Sequence, residues 1–197
     1  EGPAADFSHA TFRFMAGPVS RYYRNGNVWN IKKAQGGGGC LINIGIHFPD
    51  LYLHLTGKKP KSVYAVTSNS VYGEDVEDYA QLTMRTEDGA ICIIESTYGH
   101  AQAPGAPSVE FSLHSKRYQF RSLNRETMLW CDEQGNISYL EAPQDNSSFY
   151  PAFVADTLDA LQKGRPPIAG IEDDLAALRI VDAAYRSAAQ GTVVQLT

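Results

Sequence analysis

Apolar and polar residues alternate along several short runs in the middle of this chain, and that alternation restricts its fold more than any other feature. The runs at 80–85, 109–114 and 118–121 each follow a period of two. Such a period places apolar side chains on one face of a strand and polar side chains on the other. Residues 88–89 and 134–136 have the composition of hairpin turns. Together these features predict an antiparallel sheet of six or more strands, with one face free to contact something other than the chain's own core.

Two stretches with helical spacing follow the strands. Their apolar residues are Phe149, Phe153, Val154, Leu158 and Leu161 in the first and Leu175, Leu178, Val181 and Tyr185 in the second. Gly164 and Gly191 stand where each helix would end, since glycine favours the C-cap. Strands followed by helices, without a repeated βα alternation, indicate an α+β fold: an open, largely antiparallel sheet with helices on one face. At 197 residues with 43% hydrophobic content, a single domain over residues 1–197 is expected.

Charge, hydropathy and cysteine usage argue against several classes of protein. The net charge is −5 and the only lysine cluster lies at 58–61, which gives no reason to expect nucleic acid as a partner. The longest apolar runs are strand-sized, so no membrane span is predicted. Cys40, Cys92 and Cys131 are odd in number and widely spaced, which favours free thiols and a reducing, cytoplasmic location. The chain opens at Glu1 without an initiator Met, as a fragment, a processed chain or a cloned domain would.

Four consecutive glycines, at 36–39, precede the stretch of sequence with the most chemical potential. They do not match a phosphate-binding loop, because GxGxxG spacing, a preceding buried strand and a following Lys-Ser/Thr pair are all missing. They lead instead to Asn43, Gly45 and His47. On a helical backbone the Asn43 carboxamide and the His47 imidazole would lie one turn apart on the same face, and Gly45 would leave room for a flat ligand.

The pairing of Asn43 with His47 predicts acid–base chemistry at a reacting hydroxyl. An imidazole, with an ordinary pKa of about 6.5, can accept the proton of an alcohol as hydride leaves and return it in the reverse reaction. Asn43 would hydrogen-bond the substrate or orient the imidazole. The alternative is that His47 is a buried residue that caps the following helix, and spacing alone does not separate the two interpretations.

Residues 36–51, GGGGCLINIGIHFPDL, resemble the GGGxLxDxGxHxxDL signature of the glucose-fructose oxidoreductase / inositol dehydrogenase / MocA (Gfo/Idh/MocA) family. Residues 12–18, residues 87–96 and the layout from 156 to 194 extend the resemblance over nearly the whole chain, but only to the second half of a family member. The resemblance implies a C-terminal domain like that of glyceraldehyde-3-phosphate dehydrogenase. It also implies that the N-terminal Rossmann domain, with its dinucleotide fingerprint and catalytic lysine, is absent from this chain.

By this resemblance His47 is the catalytic acid–base residue beside the nicotinamide, and position 43 is its neighbour in the substrate pocket. Asn43 replaces the aspartate of the family signature, so proton transfer is expected to fall to His47 with the lysine of the other domain. NAD or NADP would be the cofactor, bound mainly by that other domain. The implied reaction is hydride transfer between the nicotinamide and a secondary alcohol of a sugar, polyol or amino sugar.

Aromatic and charged residues outside the signature are further candidates for substrate binding. They are Arg21, Tyr22, Tyr23 and Trp29 in one polar loop and Tyr98 and His100 at the end of a strand. Such side chains can stack on a sugar and hydrogen-bond its hydroxyls, although aromatic loops also occur as ordinary packing.

Two alternatives to an oxidoreductase domain stay open from the sequence. His47, Asp50 and His54 stand at i, i+3 and i+7, which could place three metal ligands on one helical face, as in a metal-dependent hydrolase. A non-catalytic scaffold or sensor of the same fold is the other alternative, for which Asn43 is the only hint. A homodimer or homotetramer through the exposed sheet face is the expected assembly of the chain.

Overall fold

The computed structural model describes residues 6–99, 108–124, 126–141 and 149–196, and one nine-stranded sheet forms its centre. The strands are β1 (Phe7–Met15), β2 (Pro60–Ser68), β3 (Tyr79–Thr86), β4 (Ile91–Thr97), β5 (Ser108–Ser115), β6 (Tyr118–Ser122), β7 (Thr127–Asp132), β8 (Ile137–Glu141) and β9 (Val194–Gln195). Their order is β8-β7-β6-β5-β1-β4-β3-β2-β9. Only β1 and β4 pair in parallel, so the predicted largely antiparallel sheet is confirmed.

Helices lie against part of one face of this sheet. The helices in the described residues are α1 (Ser20–Arg24), α2 (Lys33–Gly36), α3 (His47–Thr56), α4 (Tyr150–Lys163) and α5 (Ile171–Gln190). α5 packs on β2, while α3 packs on β1 and β4. The core lies between these layers, where the ring of Phe12 on β1 stacks on that of Phe48 on α3 with centroids 5.1 Å apart. The α+β architecture expected from the order of the sequence patterns is therefore confirmed.

Glycines end the three long helices at the positions that the sequence indicates. Gly57, Gly164 and Gly191 each follow the last helical residue in the left-handed conformation, which glycine adopts without steric cost. The polar loop expected around Tyr22 is in part helical, because α1 is followed by a 3₁₀ turn at Val28–Ile31. The sequence predicted a loop here because most of these residues are polar.

The face of the sheet opposite the helices is open and mixed in character. Tyr64, Thr83 and Ile93 stand in register across three adjacent strands, and both Tyr64 and Ile93 are exposed. Beside them Arg13 forms an ion pair with Glu95 at 2.7 Å. This face is the surface that period-two alternation predicts to be free of the chain's own core.

Two further expectations concern the cysteines and membrane-spanning helices. Cys40, Cys92 and Cys131 are free thiols, and the first two are buried. None of the helices in the described part of the chain combines the length and the apolar character needed to cross a bilayer.

Candidate active site

Asn43 and His47 lie on one helical segment. Leu41–Gly45 forms a single π-helical turn, and α3 begins two residues later. Cys40 and Ile46, which flank the turn, have right-handed helical backbone angles, so the π turn and α3 are continuous. Single π turns within helices occur often at functional sites. The helical backbone expected for the Asn43 and His47 pair is therefore present.

The glycines before this segment permit two close approaches. A Cβ atom on Gly39 would lie 2.0 Å from the carbonyl oxygen of Glu77, and one on Gly38 would lie 2.0 Å from the hydroxyl of Tyr185. Real Cβ contacts are never that short, so neither position accepts a side chain without movement of its neighbour. The glycine run thus lets the chain pack tightly against the segment before β3 and against α5.

Glu77 holds the start of the helical segment, and sequence analysis missed it. Its carboxylate accepts hydrogen bonds from the backbone N–H groups of Gly39 at 2.9 Å and Leu41 at 3.0 Å. It also accepts one from the hydroxyl of Tyr185 at 2.8 Å. Burial, together with the negative charge of Glu77, raises the pKa of Tyr185. Nothing in the sequence signals this contact, because 38 residues separate Glu77 from Gly39.

The carboxamide of Asn43 connects two tyrosines. Its Nδ2 donates to the hydroxyl of Tyr22 at 2.6 Å and to the hydroxyl of Tyr98 at 2.7 Å. The two rings meet edge to face with centroids 5.3 Å apart. Tyr98 is fully buried, and this burial raises the pKa of Tyr98 so that the phenol stays protonated at neutral pH. Among the described residues, Asn43 therefore orients two phenols and makes no contact that would orient His47.

Arg21 completes what we call the tyrosine cluster: Arg21, Tyr22, Asn43 and Tyr98. Its Nη2 donates to the hydroxyl of Tyr22 at 2.6 Å, and its guanidinium lies over the Tyr22 ring, 4.7 Å from the centroid. Three of the six candidate substrate-binding residues thus meet the predicted catalytic Asn43 in one network. Such a set of hydroxyl, amide and guanidinium groups can exchange hydrogen bonds with a ligand rich in hydroxyls.

The remaining candidate residues lie apart from the tyrosine cluster or outside the residues that the structure describes. His47 is exposed at the first residue of α3, which does not fit the alternative of a buried capping residue. Trp29 is exposed on its 3₁₀ turn, and the Tyr23 hydroxyl donates to Glu74 at 2.8 Å on the surface. In the described part of the chain, neither side chain contacts the tyrosine cluster. His100 lies outside the described residues.

Gly45 does not leave room for a ligand, contrary to expectation. It is buried, and a Cβ atom there would lie 2.9 Å from the Oγ of Ser96 on β4 and 3.1 Å from the side chain of Leu41. The missing side chain lets the π turn sit directly on the sheet. The space that the sequence suggested is filled by the chain itself.

The alternative metal set of His47, Asp50 and His54 lacks support from the geometry of the described residues. Across residues 6–99 and the other described ranges, no three His, Cys, Asp or Glu side chains are grouped so that they could hold a metal ion. Asp50 and His54 instead line a groove of about 830 Å³ between α3 and α5, and His47 is not among its lining residues. Burial raises the pKa of Asp50, helped by the charges of Asp173 and Asp174.

Comparisons with solved structures bear on the fold. An oxidoreductase from Agrobacterium radiobacter, solved with NAD+, L-tartaric acid and magnesium, matches with a TM-score of 0.81 at 19% identity, over 96% of this chain and 57% of that chain. Aldose-aldose oxidoreductase from Caulobacter crescentus, complexed with glycerol, matches with a TM-score of 0.77 at 24% identity, over 98% and 57%. Levoglucosan dehydrogenase with NADH and levoglucosan matches with a TM-score of 0.78 at 18% identity, over 99% and 60%.

Identities this low establish the shared fold alone, and this chain spans less than two thirds of each of those three proteins. A comparison with curated protein sequences finds no significant match. The family model described as GFO/IDH/MocA C-terminal domain matches residues 6–117, which is more than half of the 197 residues. This chain belongs to the GFO/IDH/MocA C-terminal domain family.

Proposed function

We propose that this chain is the substrate-binding domain of an NAD(P)-dependent oxidoreductase. The reaction is hydride transfer between the nicotinamide and a secondary alcohol of a sugar, polyol or amino sugar. The observation that carries the proposal is the tyrosine cluster, which holds Arg21, Tyr22 and Tyr98 around Asn43 on the same helical segment as His47. A ligand with several hydroxyls is the chemistry that best matches such a network of neutral donors and acceptors with one cation.

The roles of the side chains follow from their chemistry. Arg21 is only half buried and carries donors beyond the one given to Tyr22, so it can bind an oxygen of the substrate. The Oδ1 of Asn43 is an acceptor for a substrate hydroxyl, because the hydrogen bonds to the tyrosines use Nδ2. The exposed imidazole of His47 accepts the proton of the reacting hydroxyl at its unprotonated ring nitrogen. Nicotinamide, when bound, supplies the redox chemistry.

The glycine run at 36–39 does not fit the pyrophosphate of the dinucleotide. The glycine run is the obvious place for a phosphate, but the N–H groups of Gly39 and Leu41 already donate to the carboxylate of Glu77. A carboxylate at that position also repels a phosphate. We therefore assign dinucleotide binding to a domain outside these 197 residues, which is consistent with the NAD+ and NADH in two of the solved relatives.

A sugar or polyol substrate is supported by the names of the structural relatives. One acts between aldoses and another oxidises levoglucosan. Because those proteins are less than 25% identical to this chain, they support a substrate class and no particular substrate.

The test is turnover by a polypeptide that joins this chain to an NAD-binding domain. The coding sequence next to Glu1 shows whether the natural polypeptide is of this kind. Production of reduced nicotinamide with NAD or NADP and a panel of sugars, polyols and amino sugars is expected. Tight cofactor binding without turnover of any of these alcohols would instead favour a scaffold or sensor.

We also propose that the open sheet face forms a homodimer or homotetramer. Exposed apolar side chains on this face are Tyr64 and Val66 on β2 and Ile91 and Ile93 on β4. A two-fold contact brings such a patch against its own copy. Light scattering at micromolar concentration should give a mass above the 21.6 kDa of one chain, and Ile93→Lys should lower it. A strictly monomeric chain would contradict this assembly.

A further inference from the structure

α4 carries five apolar side chains that the rest of the chain leaves exposed. We call them the α4 stripe: Phe149, Phe153, Val154, Leu158 and Leu161, each at least 50% exposed. Ala160 is buried and Asp156 and Thr157 are half-buried, so the chain covers only part of the helix surface. Amphipathic helices of globular proteins turn their apolar residues to a core. The α4 stripe is instead free to contact another body.

Polar contacts join the C-terminal half of α4 to the linker that follows it. Arg165, just after the helix, donates to the carboxylates of Asp156 at 2.6 Å and Asp159 at 2.8 Å. The other oxygen of Asp156 accepts the backbone N–H of Ile168 at 2.8 Å. The linker between α4 and α5 is thereby folded back on the helix. The exposure of the stripe follows from a defined arrangement of the helix and its linker.

A helix of this length needs a packing partner. α4 has 14 residues, and isolated helices of about 12–15 residues are marginal in water. Only Ala160 of the helix is buried, so the core of this chain contributes little to keeping α4 helical. Exposed ion pairs such as those of Arg165 add little as well. A partner that covers the α4 stripe supplies the missing contacts.

The size of the stripe fits a domain of the same polypeptide better than a second copy of this chain. Five side chains that expose about half of roughly 200 Å² each offer on the order of 500 Å². Two copies packed stripe on stripe would bury on the order of 1,000 Å², below the roughly 1,200–2,000 Å² of stable interfaces between separate chains. Interfaces between domains of one polypeptide bury roughly 600–1,500 Å².

The linker after α4 lies beside the helix that carries the proposed acid–base residue. Ile168 and Ala169, in that linker, line the same groove as Asp50 and His54 of α3. α3 begins with His47, two turns before His54. The solved NAD+ and NADH relatives have about two fifths of their length outside the match, enough for a nucleotide-binding domain.

We propose that the α4 stripe is the docking surface for the NAD-binding domain of the same polypeptide. The proposal rests on the function proposed above, because that function requires such a domain. Docking orders α4 and brings the nicotinamide site to the side of the chain where His47 stands.

Hydrogen–deuterium exchange of the α4 amides tests the proposal. The comparison is between the 197-residue chain alone and a polypeptide that joins it to an NAD-binding domain. The amides are expected to exchange at least about tenfold more slowly in the joined polypeptide. Unchanged exchange would overturn the proposal. Slowing that appears in the isolated chain and grows with its concentration would also overturn it, because the partner would then be a second copy.

Lysine substitutions give an independent measurement. Phe153→Lys with Leu158→Lys should remove the slowing of exchange and lower turnover at least about tenfold, while NAD affinity stays within about threefold. Tyr139→Lys on β8, an equally exposed position away from α4, is the matched control and should change neither quantity. Two results would contradict the assignment of the α4 stripe as the docking surface. One is that exchange is no longer slowed in the Tyr139→Lys control, and the other is that it is still slowed in the double variant. Hydrogen–deuterium exchange is measured without substrate. An absence of turnover would therefore count against the proposed function, while the exchange measurement would still test whether the α4 stripe is a docking surface.

Discussion

The side-chain amide of Asn43 donates a 2.7 Å hydrogen bond to the hydroxyl of Tyr98, whose ring is completely buried. A buried hydroxyl without a partner costs free energy, so this contact couples the candidate site to the stability of the fold. The same amide nitrogen reaches Tyr22, which also receives a hydrogen bond from Arg21. The orientation of the two tyrosine hydroxyls in the candidate site thus depends on Asn43.

Asn43→Ala should lower the free energy of unfolding by about 1–3 kcal/mol, because it leaves the Tyr98 hydroxyl buried without its donor. Tyr98→Phe removes that hydroxyl and its need for a partner. The double variant should therefore lose less stability than the sum of the two single variants. Urea denaturation of the 197-residue chain measures all three. Strictly additive losses would mean that the hydrogen bond does not contribute to stability.

Glu77→Gln should destabilise the chain by about 1.5–3 kcal/mol, because charge-assisted hydrogen bonds are lost and an amide N–H₂ group is turned toward backbone donors. The affected donors are the N–H groups of Gly39 and Leu41. Glu74→Gln is the control, since Glu74 accepts from Tyr23 at the surface and its loss should cost about 0.5 kcal/mol or less. Equal losses in the two variants, measured by urea denaturation, would show that Glu77 does not hold the π turn.

The parts of the fold that the sequence predicts are those encoded by neighbouring residues. Alternation over 80–85 is read within one strand, and Gly164 marks the end of a helix because the left-handed cap is a local requirement. Periodicity also identifies the apolar residues of α4, such as Leu158. It does not reveal whether this chain itself covers them, and Leu158 turns out to be exposed.

The candidate site could be predicted only in part, because some of its contacts join residues that are far apart in the sequence. The signature identifies Asn43 and His47 because they are close in sequence. The contact between Glu77 and Gly39 and the filling of the space at Gly45 by Ser96 depend on tertiary packing across many residues. Aromatic composition singles out both Tyr22 and Trp29, but it cannot separate Tyr22, which is in the tyrosine cluster, from Trp29, which is not.

His47→Asn, in a polypeptide that includes the NAD-binding domain, should lower turnover by about 10²–10⁴ and leave cofactor affinity within about threefold. The reason is that His47 is exposed on the same helical segment as Asn43, whereas the proposed dinucleotide site lies in the other domain. His54→Asn is the matched control, because His54 is exposed on the same helix two turns later. Steady-state kinetics and cofactor titration separate the outcomes.

A rise in KM with turnover preserved would show that His47 only binds substrate. An equal loss of turnover in the control would show that substitutions on α3 disturb the site in general and that the loss is not specific to His47.

Asp50→Asn should make the chain more stable at neutral pH. Partial burial in the groove raises the pKa of the Asp50 carboxyl, and the negative charges of Asp173 and Asp174 raise it further. The folded chain then holds this proton more tightly than the unfolded chain, whose aspartates have a pKa of about 3.9. Stability consequently falls as pH rises from that value through the pKa of the folded state. Asparagine cannot ionise, so the variant does not suffer this loss.

The gain should be about 0.5 kcal/mol or less at pH 7, because solvent screens a carboxyl that is only partly buried, and it should vanish below about pH 3. An acidic residue early in a helix is often stabilising, but that effect is confined to the first turn. The helical segment that contains α3 starts at the π turn, where Glu77 already binds the free N–H groups, so Asp50 lies beyond that turn. Thermal unfolding between pH 3 and pH 8 measures the difference. Asp182→Asn, which removes an exposed partner of Arg186 on α5, is the control and should bring no gain. Lower stability of Asp50→Asn at pH 7 would mean that the ionised carboxylate stabilises α3 after all.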